Sequence, residues 1–143
     1  MVFLLQRDLD VLIDPENLQE IVSYEQTIID DCEMRAITVC KEFLSNRYDM
    51  NYEFSLNSTS GANFTLITIV GDIFKYNICT RVSPRQLNQI VLDRYNESKE
   101  KLLMINNGRL TVALRELVQP DPNDQTDQPF RWGNTISDNT SQW

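Results

Sequence analysis

The sequence predicts an all-α fold, a compact bundle of about four helices with a long loop and an extended C-terminal tail. Three observations carry this prediction. Apolar residues recur three and four positions apart over long tracts, as the 3.6-residue helical period requires. Glycine (4) and proline (5), which interrupt helices, are scarce in a chain of 143 residues. Three of the prolines, Pro120, Pro122 and Pro129, fall after residue 118, where aliphatic residues also thin out. The chain therefore divides into a helical body, 1–118, and a tail, 119–143. A body of this size holds one ordinary hydrophobic core.

The first tract carries apolar residues at 9, 12 and 13 and again at 18, 21 and 22. These form two short helical stripes broken at Asp14-Pro15, with Asp14 suited to cap the second piece and Pro15 to open it. Ser23 and Gln26 fit a capping box for the strongest helix, 24–48. Its stripe runs through Ile28, Ile29, Cys32, Ala36, Val39, Cys40, Phe43 and Leu44. The opposite face, with Asp30, Glu33, Lys41 and Asn46, reads as a solvated or subunit-contacting surface.

Residues 49–63 are rich in Asn and Ser and include Gly61, which marks a loop. Within it Tyr52, Phe54 and Leu56 alternate, as in a short strand or an arm pressed on a neighbour, so Tyr52 and Phe54 are partner-binding candidates. Residues 64–82 give two signals. Their β-branched start favours a strand, whereas Leu66, Val70 and Ile73 follow a helical track. A helix is expected, because the apolar stretch exceeds strand length and Ser83-Pro84 opens a new element without a hairpin turn. Gly71 in its middle costs roughly 1 kcal/mol relative to alanine, which points to close approach of another helix.

Ser83, Pro84 and Gln86 form a second capping box, for a helix over 84–106. Its face runs through Leu87, Ile90, Val91, Tyr95, Ser98, Leu102 and Ile105 to Asn107-Gly108, where glycine can take the left-handed cap. The expected core joins the two long helices through Ile28, Cys32, Val39, Phe43, Leu87, Val91, Tyr95 and Leu102. Residues 109–118 alternate at Leu110, Val112 and Leu114 and read as a short strand or a weak helix. The polar tail contains too few apolar residues to offset the entropy of ordering itself, yet it holds Phe130, Trp132 and Trp143. Phe130 and Trp132 share one side of an extended segment and Arg131 faces the other. Phe130, Arg131, Trp132 and Trp143 are therefore further candidates for binding a partner.

Composition narrows the function classes. Thirteen basic against 21 acidic residues give a formal charge of −8, which argues against gripping nucleic acid by counterion release. There is no histidine, so the usual general base, triad member and metal ligand is missing. Asp30, Asp31 and Glu33 are the remaining acidic cluster, and a solvated acidic face explains them more simply than catalysis. Cys32, Cys40 and Cys79 form no CxxC pair; on one helix Cys32 and Cys40 stand about 12 Å apart, too far for a disulfide. Buried, reduced thiols are expected. The four glycines are scattered and build no phosphate-cradling loop. No enzymatic activity, cofactor or metal is expected. The opening apolar run is too short for a signal sequence and no run spans a membrane, so the product is expected in the cytoplasm where it is made, or in a particle assembled there.

Several segments fall in a recognisable order. They are Asp8-Leu9, then Phe43-Leu44-Ser-Asn-Arg47-Tyr48-Asp49, then Asp72-Ile73-Phe-Lys-Tyr76-Asn-Ile78-Cys-Thr-Arg81, and finally Arg94-Tyr95, Leu102, Ile105 and Gly108. This pattern, over about residues 5–114, resembles the Mu-like family of phage head–tail connector proteins, also called adaptors or head-completion proteins. Phe130-Arg-Trp-Gly133 resembles the family's C-terminal end. The chain departs from the pattern at Asn63-Phe64, where a proline is common, at Ser98, where alanine is usual, and in its longer tail. The resemblance implies a helical virion protein that forms a ring, commonly of about twelve copies, in the neck beneath the portal. Its implied partners are itself, the portal and the next neck or tail protein, with DNA passing through the lumen unbound. An acidic lumen would repel the DNA backbone. The competing expectation is an acidic regulatory protein that mimics DNA or binds a host protein.

Overall fold

A computed structural model describes residues 3–12, 23, 25–81 and 88–118 of the chain. Five helices account for its regular structure: α1 (Gln6–Leu12), α2 (Gln26–Leu44), α3 (Met50–Glu53), α4 (Phe64–Arg81) and α5 (Gln89–Asn106). The three long helices, α2, α4 and α5, pack on one another, and α1 lies against α4. The all-α bundle is as the sequence predicts. The second short helical stripe, expected to open at Asp14-Pro15, the Ser83-Pro84-Gln86 box, Leu87 and the whole tail lie outside the described residues.

Helix α4 explains why its tract gave two signals. Leu66, Ile67, Ile69, Val70, Gly71, Asp72, Ile73 and Phe74 are all buried, so apolar residues surround the axis and hide the one-sided period of a surface helix. Packing on both sides outweighs the strand propensity of its start. Asn63 supplies the N-terminal cap, its Oδ1 accepting from the N–H of Thr65 at 2.9 Å and of Leu66 at 3.4 Å.

Helix α2 buries Ile29, Cys32, Ala36, Ile37, Cys40 and Leu44. The centre of its buried face is rotated slightly from the expected one: Ile28, Val39 and Phe43, like Tyr95 on α5, pack at the core's edge only partly buried. With α4 on one side and α5 on the other, two neighbours together set the middle of the stripe. Cys32, Cys40 and Cys79 are buried free thiols, and burial raises the Cys40 thiol to about 12.

Two helix starts differ from expectation. Glu25, not Ser23, is the N-cap of α2, and its side chain makes no capping bond. Gln26 instead donates to Asp30 one turn on, at 2.8 Å, and does not reach back in a capping box. Helix α5 begins at Gln89, with Asn88 as cap accepting from the N–H of Val91 at 2.9 Å. Its end is as expected. Gly108 has φ +75°, its N–H donates to Ile105 O at 3.2 Å, and the N–H of Arg109 donates to Met104 O at 2.9 Å. That pair of bonds is a Schellman motif.

The loop 49–63 is neither strand nor free arm. Asp49 caps the single turn of α3, accepting from the N–H of Tyr52 at 3.1 Å. Asn57 then accepts from the N–H groups of Thr59 and Ser60, building a side-chain-closed turn.

Candidate functional site

The open site of the molecule forms where residues 109–118 cross the 47–63 loop. This segment is neither of the expected helix or strand but an irregular strap with one isolated β-bridge, between Tyr48 and Glu116. The N–H of Asp49 donates to Arg115 O at 2.8 Å and that of Leu117 to Arg47 O at 3.1 Å. The N–H of Arg115 donates to Glu53 Oε1 at 2.7 Å, and Asn63 Nδ2 donates to Ala113 O at 3.3 Å. Glu53 is buried, so it holds the strap from inside.

Between strap and loop lies a cleft of about 700 Å³ lined by Tyr52, Leu56, Asn63, Ala113, Leu114 and Arg115, among others. Tyr52 is 41% exposed, and the Arg115 guanidinium lies over its ring, 4.5 Å from the centroid. The cleft thus offers an aromatic face, a planar cation, aliphatic wall and an amide. The strap leads straight into Val118, which is 89% exposed.

The predicted candidates separate. Tyr52 is at the cleft mouth. Phe54 is a correction: it is only 9% exposed, with its ring edge-on to Phe3 at 4.9 Å. The α3 turn, in place of an extended arm, rotates Phe54 inward and leaves Tyr52 outside. Phe130, Arg131, Trp132 and Trp143 lie outside the described residues. Arg115, Asn63 and Leu114 escaped sequence reasoning, because a strap without regular structure has no period; the alternation at 110, 112 and 114 was its only trace.

The acidic cluster does not converge. Asp31 pairs outward with Arg81 at 3.0 Å. Glu33, expected on the solvated face, is 3% exposed and accepts from the N–H of Phe3 at 3.0 Å and of Leu4 at 2.7 Å. Two backbone donors before the first turn of α1 thus find their acceptor on α2. Arg47 directs its Nη1 at the carbonyls of Ile105 and Asn106, each at 3.5 Å, at the C-terminal end of α5. A Cβ on Gly108 would lie 3.1 Å from that same Nη1. Asp72 is buried between α4 and α5 and accepts from Ser98 Oγ at 3.1 Å. Burial raises its carboxyl pKa above 3.8, against the lowering effects of Ser98, Arg94 and Lys101. Tyr76 stacks on Tyr95 with ring centroids 3.8 Å apart.

No family model matches the chain, and no curated protein or solved structure does either. Among the described residues no three His, Cys, Asp or Glu side chains stand together as a metal-holding group. No helix among them is long and apolar enough to cross a membrane.

Proposed function

We propose that this chain is a structural protein of a tailed-phage virion, a subunit of the neck ring between portal and tail that extends the DNA channel. One observation carries the reading: the scattered residues on which the connector resemblance rests meet in space. Arg47 sits on the cap formed by Gly108, Tyr76 stacks on Tyr95, and Leu9, Leu44, Ile73, Ile78, Leu102 and Ile105 share one core. Their order along the chain is therefore the imprint of a single packing unit. Ser98, a departure from the pattern, has its own account, since alanine could not donate to Asp72.

The work of such a ring is mechanical. With a formal charge of −8, a lumen of repeated acidic surfaces repels the DNA backbone and lets it slide without sticking. The tail, carrying Phe130 and Trp132, provides the link to the portal or to an adjoining subunit. The test is negative-stain imaging of the full-length protein alone and mixed with the portal of the same phage. Rings seated coaxially on the portal are expected. A monomer or dimer that never joins the portal overturns the proposal and leaves the acidic regulatory reading in its place.

A further inference from the structure

We infer that the Tyr52–Arg115 cleft is the receptor for the C-terminal segment around Phe130-Arg131-Trp132 of a second copy of this chain. The inference rests on the self-assembly part of the ring proposal and names the contact that makes it. At about 700 Å³ the cleft falls within the ~300–1,000 Å³ range of ligand-binding clefts. Its chemistry suits an aromatic pair next to a carboxylate. The Arg115 guanidinium covers the Tyr52 ring on one face and can stack a second ring on the other, while Leu56 and Leu114 provide apolar wall. The tail supplies complementary charge, with four Asp against one Arg, and Asp127 stands three residues before Phe130.

Length places a neighbour's cleft within reach. The tail leaves the body at Val118, three residues past Arg115, and Phe130 follows twelve residues later. Twelve residues span at most about 40 Å when fully extended. A compact body of this size is about 35 Å across. Equivalent points on adjacent copies of a ring stand about one body width apart, so each tail reaches the same cleft on the next copy. A contact of this heterologous kind, repeated, closes a ring.

The test joins Leu56→Cys and Gly133→Cys in one full-length chain that keeps Trp132 and whose own cysteines are buried. Mild oxidation is expected to give a ladder of disulfide-linked multimers on a non-reducing gel. Cross-linked monomer alone, or no cross-link in a protein with unchanged circular dichroism, overturns the inference. In parallel, Arg115→Glu and Trp132→Ala are each expected to stop self-association in light scattering, whereas an equal mixture gives dimers, one intact cleft holding one intact tail. Either variant assembling like the unmodified chain also overturns it. Rings on the portal without cross-links would refute this contact and leave the ring proposal standing; cross-links without portal-bound rings would do the reverse.

Discussion

Two buried carboxyl groups, Asp72 and Glu33, have different roles. Asp72 has its pKa raised, chiefly by burial. A raised folded-state value means that the native protein still holds a proton where the unfolded chain has released it. Stability from this group is therefore fullest below about the ordinary value of 3.8 and declines as pH rises through the raised value. Asp72→Asn, which keeps an oxygen for Ser98, is expected to raise the thermal midpoint at pH 7 and to flatten its decline with rising pH over that window; calorimetry against pH checks both. Glu33 accepts the N–H groups of residues 3 and 4. Glu33→Ala leaves buried donors unmatched, at about 1–3 kcal/mol each, and Glu33→Gln should recover much of the loss in urea unfolding. Neither role was legible in the sequence. A charged residue on a helix declares nothing about which distant backbone it meets, and Glu33 looks like its solvated neighbours Asp30 and Asp31.

Elements were legible to the degree that one-sided burial gave them a period. Helices α2 and α5 announced themselves by their stripes, and α4 was read as a helix by its length. The caps that depend on a single residue's conformation divided. Gly108 was readable because only glycine takes φ +75° without strain, whereas the Ser23–Gln26 box was misread, since Gln26 bonds to Asp30 one turn on instead. Gly108→Ala is expected to destabilise the protein by more than about 1 kcal/mol, through the left-handed backbone and through displacement of Arg47. Gly61→Ala, at φ +96° with nothing within 4 Å, bears the backbone cost alone and should lower the urea midpoint less. Equal losses would deny Arg47 its part in holding the end of α5. The candidate cleft was half legible: Tyr52 was singled out within a loop, but the strap that completes it has neither period nor turn signature.

At the scale of the whole molecule, the core among the described residues is built by helices α1 to α5 and the strap, and the sequence after residue 118 is polar and proline-rich. On the neck-ring proposal and the tail's polar composition, deleting 119–143 is expected to leave the helical signal and thermal midpoint nearly unchanged while abolishing incorporation into the ring; loss of the fold, or normal assembly, would count against the division into body and tail. The strap also has a consequence in time. Its bonds close large loops, Asn63 to Ala113 over 50 residues and Glu53 to Arg115 over 62. Closure of that kind carries a high entropic cost and follows the local helical contacts in folding. What forms last generally opens first, so in native-state hydrogen exchange the amides of Asp49, Arg115 and Leu117 should exchange well before those of α4. Because one wall of the cleft is the strap itself, each such opening erases the cleft, and an occupant arriving there would slow the exchange of those same three amides.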